Sequence, residues 1–257
     1  MSLKKQHISY SELTTFLKCR WQHKLRYKDK VYLNDTGLFA IFGKSVHKVA
    51  EDVMSGFDRS NLPDHFTKIF VSMIKEELKD LNEEDKKLAL LLNEQGRPLV
   101  KHIFRSVEKE FGECEVFSVE EKLFEPIERD GMKFKGFVDL VIKVGDKYHL
   151  IDWKTTTWGW DARKRSSAIV TYQLTLYKHY FAKKHNIDPK NIETYFGLLK
   201  RTAKKDPVEI FRVTSGNKKT QNALKLLTDS LYNIENGMCV RNKTNCQYCE
   251  YKHTEWC

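Results

Sequence analysis

Gly136-Phe137-Val138-Asp139-Leu140-Val141-Ile142 and, just past the turn dipeptide Gly145-Asp146, Leu150-Ile151-Asp152-Trp153-Lys154 are the stretches whose reading decides the fold. Each is an apolar run rich in strand-forming residues and broken by a carboxylate, which predicts a strand with an acid set into it. The tight turn makes them antiparallel neighbours, so Asp139 and Asp152 come together. Lys154, two residues after Asp152, shares its face of the strand. Two carboxylates on one rim form a hard-oxygen site suited to Mg²⁺ or Mn²⁺. Such an ion activates a water and neutralises charge on a phosphate under displacement, and a nearby ammonium balances the rest. About six acid-x-base tripeptides arise by chance in a chain of this composition, so Asp152-Trp153-Lys154 alone says little. The conjunction says more, because burying Asp139 in an apolar strand without a partner is costly.

Outward from this pair, residues 114–127 and 132–144 read as strands joined at Asp130-Gly131, followed by a short strand from Tyr148 to Trp153. A helix is expected over about 166–186, strands around 192–200 and 207–214, and a last helix near 217–236. The basic run Lys200-Arg201-Thr202-Ala203-Lys204-Lys205 separates the two later strands. Upstream the texture is helical. Ser9 with Glu12 reads as a capping box, and Leu13, Phe16, Leu17 and Leu25 keep helical spacing, with Cys19 near the helix end. Val46, Val49, Ala50 and Val53 mark a helix over about 40–56, Pro63 starts another, and 83–111 reads as helix with a break near Gly96 and Pro98. Helices, three antiparallel strands, a crossover helix and further strands imply an α/β core wrapped by an N-terminal helical part.

Three features support the acidic pair. His47 and Glu51 share a helix face, making His47 a candidate third metal ligand. Gln173 and Tyr177 share a face of the helix that follows the lysine strand, where they could contact a phosphate and help set Lys154. Between strand and helix lie Thr155, Trp158, Trp160, Arg163, Lys164 and Arg165. Hydroxyls, indoles and cations together suit a nucleic acid whose bases stack and whose phosphates pair.

With 45 basic and 35 acidic residues, the net charge of +10 favours a polyanionic partner. A mean hydropathy of −0.58 describes an ordinary soluble chain. No run approaches the roughly 20 apolar residues that cross a bilayer. Met1-Ser2-Leu3-Lys4-Lys5 is followed by no apolar stretch of a secretory signal, so a cytoplasmic protein with no membrane partner is expected. Without secretion, the six cysteines are not expected to form a disulfide framework. Cys246-x2-Cys249-x7-Cys257 has the spacing of soft-metal ligands, and Cys239 offers a purely C-terminal set of four that would suit zinc. Cys114 reads as a small buried hydrophobe within a strand.

Taken together, Ser9 to Cys19, Gly43-Lys44-Ser45-Val46-His47, Gly136-Phe137-Val138-Asp139, Asp152-Trp153-Lys154 and Gln173 to Tyr177 resemble the RecB-type branch of the PD-(D/E)XK nucleases. That branch includes AddB nuclease domains and small CRISPR-associated exonucleases. The order of the five elements fits, as does the separation of 13 residues between Asp139 and Asp152. The resemblance implies a restriction-endonuclease-like core, a central mixed sheet flanked by helices, with an N-terminal helical subdomain and a Cys-rich C-terminal tail. It divides the chain into 1–112, contributing His47 and Cys19; 113–236, the nuclease core; and 237–257, the tail packing back on the N-terminal part. It makes His47, Asp139, Asp152 and the Trp153 carbonyl metal ligands, Lys154 the catalytic cation, and Gln173 and Tyr177 its support. Several members carry a 4Fe-4S cluster on one upstream cysteine and three C-terminal ones, which here implies Cys19, Cys246, Cys249 and Cys257; structural Zn²⁺ is the alternative.

The implied activity is metal-dependent DNA hydrolysis, by an exonuclease preferring single strands or ends. An inactive DNA- or partner-binding module is the competing reading, and a restriction-type endonuclease a third. Partners in recombination, repair or CRISPR adaptation all remain compatible with the sequence.

Overall fold

The computed structural model describes residues 6–33, 37–78, 80–128 and 131–257. Asp130 of the expected Asp130-Gly131 turn lies outside them; Gly131 has a φ of +73°, a left-handed conformation that glycine adopts freely.

The chain opens with a strand that the sequence reading did not anticipate, β1 (His7–Ser9). The Ser9 hydroxyl then caps α1 (Tyr10–Lys18) by accepting the Glu12 N–H at 3.2 Å. At Cys19 the backbone is extended, and the chain continues as α2 (Arg20–His23) and a π-helical turn, Lys24–Lys28. Four helices follow: α3 (Leu38–Met54), α4 (Leu62–Glu77), α5 (Glu83–Leu99) and α6 (Ile103–Phe111). The break expected near Gly96 and Pro98 falls later. α5 runs through both residues, and the chain tightens into a 3₁₀ turn at Val100–His102.

The remaining elements are β2 (Glu115–Pro126), β3 (Lys133–Val144), β4 (Lys147–Thr156), a short α7 (Ala162–Ser166), α8 (Ala168–His185), β5 (Ile192–Lys200), β6 (Val208–Val213) and α9 (Asn217–Glu235). Cys114 sits just ahead of β2, partly buried against the core, and not within a strand. The sheet is mixed, in the order β1-β3-β4-β5-β6, with β2 also paired to β3. β2 lies antiparallel along nearly the whole of β3. The other edge of β3 is shared: β1 pairs in parallel with Lys133 to Lys135, and β4 pairs antiparallel with Leu140 to Val144. Residues 136–139 lie between these partners. From β4 the chain crosses over through α7 and α8 into parallel β5, so the carboxyl end of β4 opens onto the crossover loop, a recurrent ligand position in such sheets.

One apolar layer joins α3–α6 to the sheet through Phe42, Val46, Phe66, Leu140, Ile151 and Trp153; the other joins α1, α8 and α9 through Leu13, Leu174, Phe181, Leu227, Val138 and Phe196. This is an α/β fold of the restriction-endonuclease type, a mixed sheet flanked by helices, carrying a Cys-rich C-terminal segment. No helix among the described residues is long and apolar enough to cross a membrane.

Candidate active site

The strand phase changes at the acid. Phe134 and Val138 belong to one core, Leu140 and Ile142 to the other, although regular alternation would give all four one face. The last β3–β4 register pair is Leu140 with Ile151. Beyond it the Asp139 carboxylate takes over the role of a backbone acceptor, receiving the Trp153 N–H on Oδ2 at 2.6 Å. The gap between β1 and β4 is thus lined by a side chain and not closed by another ladder bond.

Asp152 is buried on β4, at 2% exposure. Its Oδ1 accepts from Gln173 Nε2 at 2.8 Å, and the same amide donates to the Tyr177 hydroxyl at 3.0 Å. Its Oδ2 accepts no hydrogen bond of good geometry, and lies 2.7 Å from Lys154 Nζ as an ion-pair contact. Burial pushes the Asp152 carboxyl above its ordinary range, against the pull of Lys154. For Lys154, burial disfavours the charge but Asp152 outweighs it, so the ammonium is held protonated. From α3, His47 brings Nδ1 to 3.4 Å from Asp139 Oδ1; there too burial opposes the charge, and Asp139 more than compensates.

Two glycines make room for this arrangement. A Cβ on Gly136 would stand 2.7 Å from the Tyr177 ring, and one on Gly197, the register partner of Trp153, would stand 2.1 Å from the indole. Trp153 is therefore clamped flat against β5, between the two charged residues that flank it in sequence.

The sequence reading missed one carboxylate. Glu120 lies on β2 between Val119, paired with Leu140, and Glu121, paired with Val138, and so stands opposite Asp139. Its backbone is left-handed, with φ +50°, which is uncommon for a non-glycine residue. Burial, and then the charges of Asp139, Glu51 and Asp152, raise its carboxyl. In sequence Glu120 is one of two successive acids in an alternating strand, and only the backbone distinguishes it. Its neighbour Glu121 faces Lys184 and His185 instead, at 2.6 and 2.7 Å.

In the loop after β4, Trp158 is 67% exposed, whereas Trp160 packs on Phe196 at 5.1 Å between centroids. Arg163 and Lys164 are exposed. Arg165 is engaged by the Glu209 carboxylate at 2.6 Å and the Trp160 carbonyl at 2.8 Å. Thr155 borders a small cavity with Phe39, Phe42 and Arg201.

The C-terminal segment is stitched to residues 18–31. Asn242 and Asn245 donate to the Lys18 carbonyl at 2.9 and 2.8 Å, and the Tyr251 hydroxyl donates to Val31 at 2.6 Å. Cys19, Cys246, Cys249 and Cys257 line one cavity of about 330 Å³, and Cys239 is not among its lining. Burial raises the Cys249 thiol, and the other three thiols add to the shift. Among the described residues no three His, Cys, Asp or Glu side chains stand gathered closely enough to hold an ion as they are. The four thiols thus share a space without forming a closed centre, and the oxygen site is an open rim with one buried carboxylate oxygen met, among the described residues, only by the Lys154 ammonium.

A structure from Eubacterium rectale named "Putative exonuclease" superposes over 99% of this chain and 94% of its own, with a TM-score of 0.59 at 11% identity. That of SSO0001 aligns over 98% of this chain and 86% of its own at 12% identity, with a TM-score of 0.43, too low to carry an argument. No curated protein sequence matches the chain. A family model described as the PD-(D/E)XK nuclease superfamily matches residues 7–257, a span that takes in His47, Asp139, Asp152, Lys154 and every cysteine. The chain belongs to the PD-(D/E)XK nuclease superfamily.

Proposed function

We propose that the protein is a metal-dependent deoxyribonuclease of the RecB-type branch, an exonuclease acting on single strands or DNA ends. The observation that carries the reading is the buried Asp152 Oδ2. Among the described residues it is met only by the Lys154 ammonium, 2.7 Å away and outside good hydrogen-bond geometry, on the rim where Asp139 caps the opening between β1 and β4. A buried carboxylate oxygen left in that state fits a site that receives a cation.

His47, Asp139, Asp152 and the Trp153 carbonyl would hold Mg²⁺ or Mn²⁺, which supplies a water of lowered pKa and charge compensation at the phosphate. Lys154 keeps its proton and places a positive charge beside the carboxylates, where the phosphate gains negative charge as the P–O bond breaks. Gln173 holds Asp152 through Oδ1 and is itself fixed by Tyr177, leaving Oδ2 directed at the rim. Trp158, Arg163 and Lys164 are the exposed members of the expected nucleic-acid loop; Thr155 borders it, and Trp160 and Arg165 brace it from within. The exonuclease character draws on the fold shared with the Eubacterium rectale protein and on the RecB-type motifs. The same reading gives Cys19, Cys246, Cys249 and Cys257 a 4Fe-4S cluster that clasps the tail to the N-terminal part without taking part in catalysis. Their shared cavity supports it, and a zinc site is the alternative. The divisions 1–112, 113–236 and 237–257 belong to this proposal as well.

The test incubates the protein and its Lys154→Ala variant with end-labelled single- and double-stranded DNA in Mn²⁺, Mg²⁺ or EDTA. Metal-dependent degradation is expected, reduced by roughly 10²–10³-fold in the variant, and the product ladder gives polarity. No cleavage by the folded, metal-supplied protein would favour a binding module. Cleavage that survives in the variant would mean that the site is misassigned.

A further inference from the structure

The basic run after β5 is not used by the site described above, and it forms part of a second surface. A cleft of about 740 Å³ lies between α6 and the β5–β6 connection. Arg105 and Lys109 line it from the helix, and Lys200, Lys204 and Lys205 from the connection. Three carboxylates, Glu110, Asp206 and Glu209, also border it. Glu209 is already taken, by Arg165 at 2.6 Å and by Lys200 at 3.5 Å. Arg105, Lys109, Lys204 and Lys205 are exposed and make no ion pair among the described residues. Glu110 and Asp206 offset part of this charge, but five cations against three carboxylates leave the concavity positive, and it concentrates that field on whatever polyanion enters it.

The cleft is also fixed in relation to the lysine strand. Lys200 is the register partner of Thr156, two residues beyond Lys154. Strand geometry therefore puts the near end of the cleft on the order of 10 Å from the catalytic lysine. The connection is pinned there: Arg201 N–H donates to the Thr156 carbonyl at 2.9 Å, the Thr202 hydroxyl to the Thr157 carbonyl at 2.6 Å, and the Arg201 guanidinium to the Thr157 hydroxyl at 2.8 Å. No Phe, Tyr or Trp lines the cleft and His102 is the one aromatic ring along it, so what it offers is mainly charge to phosphates. Trp158, on the loop that follows Thr157, offers the reverse.

We propose that the cleft between α6 and the β5–β6 connection is a phosphate track, in which Arg105, Lys109, Lys204 and Lys205 hold the DNA backbone flanking the bond to be cut. It rests on the nuclease reading and adds a sequence-independent grip outside the reacting atoms.

The test measures binding and cleavage separately. Binding of a 20-nucleotide single strand is followed against NaCl concentration in the Lys154→Ala background, with and without Arg105→Ala, Lys109→Ala, Lys204→Ala and Lys205→Ala together. Losing four phosphate contacts is expected to flatten the slope of log K against log salt by about 3, and to weaken binding more than tenfold at low salt. In the Lys154 protein the same four substitutions are expected to raise the KM for the long strand with kcat unchanged, and to leave cleavage of a trinucleotide untouched. Unfolding midpoints matching the parent verify that the fold is intact; a changed midpoint is met by repeating the series with Lys204→Gln and Lys205→Gln alone. An unchanged salt slope, or an equal loss on trinucleotide and long strand, would overturn the track. Salt-dependent binding through these residues in a protein that never cuts DNA would uphold the track and overturn the nuclease reading instead.

Discussion

At the scale of residues, the site is a competition between burial and charge, decided by very few contacts. Asp152 is buried with one oxygen satisfied by Gln173 and the other left to Lys154, and Asp139 spends one oxygen on the Trp153 N–H and turns the other toward His47. Glu120 faces this cluster from a backbone conformation that disfavours side chains, a cost of about 1 kcal/mol or more. Strained residues of this kind persist where function needs them, which yields a two-sided expectation. Glu120→Gly should raise stability by about 1 kcal/mol in urea unfolding while lowering metal-dependent cleavage. A variant that is less stable than the parent, or fully active, would show that the carboxylate is not being held there for the reaction. That Asp139, Asp152 and Lys154 come together, and that Gln173 and Tyr177 share a helix face, was legible in their spacing along strands and a helix; the approach of His47 to Asp139 was implied only by the resemblance, and the roles of all six stand as proposals. Glu120 was not legible, because a left-handed residue in a strand leaves no mark in composition or periodicity.

At the scale of elements, the β3–β4 hairpin was the most readable part of the molecule. Gly145, with φ +57°, occupies the first position of a two-residue turn between Val144 and Lys147, and the apolar runs on either side define the strands. β1 was invisible for the opposite reason: three residues are too few to show alternation, and its partner lies more than a hundred residues downstream. The end of the helix containing Gly96 and Pro98 was misplaced because packing by Leu92 and Leu99 carries α5 past both residues. Gly197 gives the element scale its test. Adding a methyl group there drives into the Trp153 ring at 2.1 Å, and overpacking of this kind costs about 1–3 kcal/mol. Gly197→Ala should therefore lower the urea midpoint and reduce cleavage together, since Trp153 separates Asp152 from Lys154 along β4 and a shift of its ring on the opposite face of the sheet moves the backbone that carries both. Unchanged activity with unchanged stability would mean that β5 and Trp153 are free to part.

At the scale of the whole molecule, residues 18–31 and 242–257 are sewn together around a cavity that holds four thiols. If a 4Fe-4S cluster sits there, anaerobically purified protein should contain iron and absorb visible light. Cys19→Ser should lose both and unfold at a lower temperature, whereas Cys239→Ser should keep all three properties. Iron retained without Cys19, or zinc lost with Cys239, would favour the C-terminal set of four. The tail cysteines were evident in sequence as soft-metal spacing, but their meeting with Cys19 depends on how α1 and the tail fold back, which no local pattern encodes. The two-residue turn between β3 and β4 also sets an order in time. Asp139 and Asp152 meet by closing a hairpin, an event of about 1–10 µs. His47 arrives from a helix far upstream, through the slower docking of non-local parts. A half-folded chain thus brings both acids together before α3 has docked beside them, so on the proposed reading the metal site is completed only by the last, non-local steps of folding.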